Sequence, residues 1–96
     1  MITLHVRDND DCGPQSYPVS QISLGRSRGT DVMVRHPMVS RKHARFYQDD
    51  QGQWHVSDTG SSNGTSLNGK PVQDAIVAPG DLVVLGGVVP VEVVSI

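Results

Sequence analysis

The chain has 96 residues, of which 36% are hydrophobic, 19% charged and 4% aromatic, with a formal net charge of −2. At roughly 100–200 residues per domain this is one domain around one core, whether a whole chain or a fragment of a longer one, and it is too short for a doubly wound α/β enzyme. Fifteen valines, ten glycines and six prolines favour short strands and turns and exclude a helix bundle.

In chain order, Ile2, Leu4 and Val6 alternate with Thr3, His5 and Arg7, which predicts a half-buried strand. Residues 8–13 form an acidic turn closed by Pro14. Short strands are expected at 17–19 and 21–24, the latter ending at Gly25, and at 31–34 before Pro37. Residues 44–47 and 54–58 follow, separated by a polar turn at 49–52. Residues 60–64 are a loop. Residues 65–67 and 70–72 flank Asn68-Gly69, a strong hairpin signal because both positions tolerate positive φ. Strands at 75–78, 81–85 and 89–96 are divided by the turns Pro79-Gly80 and Gly86-Gly87. In the last, Val91 and Val93 share one face while Val94 and Ile96 take the other, which implies a bulge or burial on both faces. Ten or eleven short, closely spaced strands predict a β-sandwich or barrel.

Cys12 is alone, so no intrachain disulfide forms. His5, His36, His43 and His55 are too dispersed for a structural zinc site, and no metal or cofactor is expected. The longest apolar run, 82–91, has ten residues and contains Gly86, Gly87 and Pro90, too short and broken to span a bilayer. The N-terminus carries no secretory pattern, so the expected setting is the cytoplasm or another reducing compartment. On that expectation the sequon Asn63-Gly64-Thr65 is idle.

Charge is unevenly placed. Residues 26–45 carry Arg26, Arg28, Arg35, Arg41, Lys42 and Arg45 against Asp31 alone, while the remainder is strongly acidic. A local positive field on an acidic body suits a compact anion better than a long polyanion, and few aromatics are available for stacking, so nucleic acid is not an expected partner.

Three patterns imitate enzymes. Gly60-Ser61-Ser62-Asn63-Gly64 fits a nucleophile elbow, but a hairpin follows where a helix is required. The segment Gly64 to Pro71 approaches a P-loop, but Pro71 stands where a magnesium-binding hydroxyl belongs. Ser40 and His43 are spaced as a nucleophile and base but lack an evident orienting group.

Three polar clusters fall between strands: Gly25-Arg26-Ser27, Ser40-Arg41-Lys42-His43 and Ser61-Ser62-Asn63-Gly64-Thr65. Sandwich loops gather at the sheet ends, so three of them at one end would form a polar pocket on a rigid frame. Arg26 offers a planar fork matched to phosphate oxygens, Ser40 a hydroxyl, and Asn63 both a donor and an acceptor for a peptide backbone.

Taken in order, Gly-Arg, then Ser-Arg-x-His about fourteen residues on, then Ser-Asn-Gly-Thr and Asn-Gly, the chain resembles a forkhead-associated (FHA) domain over nearly its whole length. The resemblance implies an eleven-strand antiparallel β-sandwich of the FHA/SMAD-like kind, with binding loops at one end, that binds phosphothreonine peptides and is not an enzyme. It implies that Arg26, Ser40 and Arg41 contact the phosphate, that Ser62 approaches it through its backbone N–H, and that Asn63 holds the ligand main chain. Gly25, His43 and Gly64 are implied to be architectural, and selectivity is implied to lie near Arg35, His36, Met38 and Ser66. The implied partner is a phosphothreonine-containing protein in signalling or secretion. The alternative is a scaffolding or oligomerising FHA domain that docks without phosphate.

Overall fold

The computed structural model describes residues 1–7 and 13–96. The expected acidic turn and Cys12 therefore lie outside the described residues, apart from Gly13. The described residues form eleven strands: β1 (Ile2–Val6), β2 (Gln15–Tyr17), β3 (Gln21–Gly25), β4 (Val32–Met33), β5 (Ala44–Gln48), β6 (Trp54–Asp58), β7 (Thr65–Leu67), β8 (Lys70–Pro71), β9 (Asp74–Ile76), β10 (Leu82–Leu85) and β11 (Val89–Ser95). They build a six-stranded sheet ordered β2-β1-β11-β10-β7-β8 and a five-stranded sheet ordered β4-β3-β5-β6-β9. Among the described residues no helix is long and apolar enough to cross a membrane.

The sandwich is filled by the alternate residues that period-two patterning selects. The first sheet contributes Ile2, Leu4, Val83, Leu85, Val91 and Val93, and the second Ile22, Leu24, Phe46, Trp54 and Val56, all essentially buried. Val34 and Val39 are buried although they lie in the long connection from β4 to β5. Their burial anchors that connection to the core.

Pairing is antiparallel except between β3 and β4, which run parallel with Leu24 opposite Val32. That pair is the exception within the antiparallel sandwich that was expected. The reason is local: the turn between the two strands is held by side chains. Asp31 accepts from the Ser23 N–H and hydroxyl at 2.9 and 3.1 Å. The Thr30 hydroxyl lies within donating distance of the Gly25, Ser27 and Val32 carbonyls. The two alternatives for the C-terminal strand resolve as a bulge. Thr3 pairs with Ser95 and Leu4 with Val93, which skips Val94, and Val94 and Ile96 are exposed. Asn68 and Gly69 both adopt positive φ, 51° and 89°, as the hairpin signal required.

The outer face of the second sheet carries a charged network. His55 Nε2 lies 2.7 Å from Asp49 and Nδ1 2.9 Å from Asp74, while the Tyr47 hydroxyl donates to the same Asp74 carboxylate. Tyr47 and His55 stack with centroids 4.8 Å apart, and the Arg45 guanidinium sits 4.6 Å over the Tyr47 ring. Hydrogen bonds to Asp49 and then Asp74 raise the His55 pKa, and the bond from His55 chiefly lowers that of Asp49.

Candidate functional site

The ends of β3, β6 and β10 and the long β4–β5 connection meet at one end of the sandwich. Their junction begins at Gly25. A Cβ there would stand 2.1 Å from the Arg41 carbonyl oxygen, so only glycine lets the two backbones close. Once closed, the Arg26 N–H donates to the Ser40 carbonyl at 3.0 Å and the Ser27 N–H to the Arg41 carbonyl at 3.1 Å. Arg26 Nε donates to the Val39 carbonyl at 3.1 Å. That bond fixes the inner edge of the guanidinium and leaves its two terminal amino groups facing solvent.

His43 joins the remaining loop. It is fully buried. Its Nδ1 accepts the Ser40 N–H at 3.0 Å, and its Nε2 lies 2.7 Å from the Gly64 carbonyl. A backbone N–H only donates and a carbonyl only accepts, so the ring must be the neutral tautomer protonated at Nε2. The geometry also separates His43 from the Ser40 hydroxyl, because both ring nitrogens are committed to backbone groups. The nucleophile–base spacing noted in the sequence therefore does not become a nucleophile–base contact.

Ser40 Oγ instead accepts the Ser62 N–H at 3.0 Å, which leaves its own proton available to an acceptor outside. Asn63 Nδ2 donates to the Met38 carbonyl at 2.9 Å, leaving Oδ1 and a second N–H unpaired on an exposed residue. Arg26, Ser40, Ser62 and Asn63 are thus brought together through short backbone links. Arg41 contributes its carbonyl to the junction while its side chain extends outward. Among the described residues, the side chains of Arg28, Arg41 and Lys42 make no hydrogen bond or ion pair, so this end presents uncompensated positive charge.

The expected selectivity residues divide into two places. His36 Nδ1 accepts the Met38 N–H at 3.1 Å, shaping the loop that also carries Arg35, and Met38 is exposed at its tip. Ser66 lies apart on β7, opposite Val84 and Pro71. With those residues, Asn63 and Gly87 it lines a shallow groove of about 130 Å³.

Two supporting residues escape a reading of the sequence alone. Asp58 accepts the Gly60 and Ser61 N–H groups, both at 2.8 Å, and the Ser61 and Thr65 hydroxyls. Burial pushes its pKa up, but the bonds from Ser61, Thr65 and Gly60 outweigh this and hold the carboxyl below its usual range. An Asp two residues before a Gly at a strand end was the available signal. Gly86 is the second. Its N–H donates to the Gly64 carbonyl at 2.9 Å, and a Cβ on it would lie 2.5 Å from the Met38 carbonyl oxygen. Its place in a Gly-Gly pair announced a turn but not the contact.

The family model for the FHA domain matches residues 22–86. Glycogen accumulation regulator GarA of Mycolicibacterium smegmatis is 42% identical over 64 residues, covering 67% of this chain and 40% of that protein. The FhaA FHA domain, solved in complex with the intracellular domain of Rv3910, superposes with a TM-score of 0.83 at 28% identity, covering 97% of this chain and 99% of that one. A structure from a study of phosphothreonine-dependent FHA domain interactions superposes with a TM-score of 0.85 at 27% identity, covering 99% and 96%. The match therefore takes in nearly all of these solved domains but only about two fifths of the length of GarA.

Proposed function

The chain belongs to the FHA domain family, and on that footing we propose that residues 1–96 form one non-catalytic module that binds phosphothreonine peptides and joins proteins in a phosphorylation-dependent way. The observation that carries the reading is the set of donors at the apical end. The Arg26 guanidinium is anchored through Nε to Val39, and the Ser40 hydroxyl, accepting from Ser62, has its proton free for an outside acceptor. A phosphate monoester brings about −1.5 to −2 charges and three acceptor oxygens to such donors.

In this reading Arg26 and Ser40 bind phosphate oxygens, and Arg41 adds charge from the rim. The Ser62 N–H closes the cradle by turning from Ser40 toward the ligand or by fixing Ser40 in place. Asn63 holds the peptide backbone beside the phosphothreonine, oriented by its bond to Met38. Gly25, His43 and Gly64 keep the loops at the spacing these contacts require. Each charge-assisted hydrogen bond contributes roughly 1.5–3 kcal/mol, and micromolar affinity amounts to about −8 kcal/mol. Two or three such bonds therefore make binding depend mainly on the phosphate. Preference for threonine over serine rests on one methyl group, worth about 1–3 kcal/mol when it is buried.

Met38, exposed at the loop tip, selects an apolar peptide side chain, and Arg35 and His36 favour an acidic one. Exchange of Met38 for Arg is expected to shift the peptide preference away from apolar residues, and an unaltered preference removes Met38 from the selectivity set. The principal test is phosphopeptide titration of the Arg26→Ala protein, whose fold should persist because Arg26 is exposed. Affinity should fall at least a hundredfold, and unchanged affinity would refute the assignment.

A further inference from the structure

Behind the apical loops, on the outer face of the second sheet, lies a cleft of about 290 Å³. Its floor is the Ser23–Arg45 pair of β3 and β5, and its walls are Gly29 and Thr30, Lys42, and Thr59. These wall residues belong to the same three loops that carry Arg26, Ser40 and Ser62, none of which lines the cleft. The volume is at the lower edge of the roughly 300–1,000 Å³ of small-molecule pockets, which suits one side chain rather than a whole ligand.

The chemistry of the lining is selective. Lys42 and Arg45 are its only ionisable residues. The Ser23 hydroxyl is committed to Asp31, and that of Thr30 to backbone carbonyls. The side-chain donors left for a visitor are the Lys42 ammonium, the Arg45 guanidinium, the Gln21 amide and the Thr59 hydroxyl. Lys42 has no partner among the described residues. No carboxylate lines the cleft: Asp31 is bonded to Ser23, and Asp74 acts on Arg45 from beside Tyr47, so the lining itself is net positive. Ser40 and Lys42 are two residues apart, so their Cα atoms are at most about 7 Å from each other, the span of two extended peptide residues.

We propose that this cleft is a second anion site, which takes a carboxylate or phosphorylated side chain two to four residues from the phosphothreonine on the same bound peptide. The inference rests on the phosphothreonine reading, and the experiment separates the two. The intact domain is titrated with phosphothreonine peptides having neutral flanks, and with series carrying Glu or phosphoserine at each neighbouring position. The wild-type protein, Lys42→Ala and Arg45→Gln are compared.

At one position the anionic residue should raise affinity about tenfold, more for phosphoserine than for Glu, and the gain should shrink with added salt. Both variants should lose the gain, while their affinity for the neutral peptide should fall by much less than the gain that is lost. The absence of any position at which an anionic residue raises affinity and both variants lose that gain overturns the proposal, because a gain owed to Arg35 or His36 would survive in both. If no phosphothreonine peptide binds, the primary reading fails and the cleft is tested with inorganic phosphate alone by amide chemical shifts. Shifts at Thr30 and Thr59 that vanish in Lys42→Ala uphold the cleft, and their absence from the wild type removes it.

Discussion

At the scale of single residues, the spacing of the apical loops depends on groups that stand behind the exposed side chains. Gly25 is the clearest. With the Arg41 carbonyl 2.1 Å from the position of its missing Cβ, Gly25→Ala must push two backbones apart. We expect about 1–3 kcal/mol of lost stability in urea unfolding, together with weakened phosphopeptide binding. A variant with native affinity would show that the loops tolerate a wider spacing.

Asp58 supplies a pH-dependent counterpart. Its folded pKa is lowered, so its contribution is fully present above the unfolded value of about 3.8 and is lost as pH falls through the folded value. Asp58→Asn keeps one acceptor oxygen and gives up part of the four-bond set. It should cost on the order of 1–3 kcal/mol at neutral pH and flatten the acid-side decline in stability. An acid-side decline unchanged in the variant would assign it to other carboxylates. Gly86 was not legible as a site support, because its contacts with Gly64 and Met38 join loops distant in sequence, whereas the Asp58 carboxylate bonds only within its own loop and left the faint local signal of an Asp two residues before a Gly. The Gly-Arg, Ser-Arg-x-His and Ser-Asn-Gly-Thr clusters were legible because their residue types carry their chemistry locally.

At the scale of elements, the turn residues marked the strands well. Asn68-Gly69, Pro79-Gly80 and Gly86-Gly87 bound β7, β8, β10 and β11 nearly where they were expected. The parallel run of β4 beside β3 was not legible, because its direction is set by Asp31 bonding back to Ser23 across eight residues. Period-two alternation carries no information about strand direction. The network on β5, β6 and β9 was equally hidden, since Tyr47, His55 and Asp74 meet only through strand register.

Both ring nitrogens of His55 face carboxylates, an arrangement that favours the imidazolium. Its folded pKa is raised, so its contribution is fully present below about 6.5 and is lost as pH rises through the folded value. Thermal midpoints measured from pH 6 to 9 should fall for the wild type and lose much of that slope in His55→Gln. Parallel slopes would mean that the network contributes nothing to stability.

At the scale of the whole molecule, the two sheets form a stiff frame and the charge is concentrated at one end. The frame relies on a few large side chains, with Phe46 and Trp54 fully enclosed between the sheets. Phe46→Ala should cost about 3–5 kcal/mol and leave the domain marginal or unfolded. Retention of most of the wild-type stability would indicate that the core collapses around the gap. The body is acidic overall, yet residues 26–45 carry six cations against one acid. Phosphopeptide affinity should therefore fall as salt rises over the range in which the Debye length shrinks from about 10 to 3 Å.

The most direct test is fluorescence anisotropy with peptides that differ only in carrying phosphothreonine, phosphoserine or threonine, against the wild type and Arg26→Ala. Binding of the phosphothreonine peptide alone or best, lost in Arg26→Ala, is the predicted result. Equal binding of all three peptides, or no binding by a folded wild-type protein, would contradict the account and point to a domain that docks its partner without phosphate.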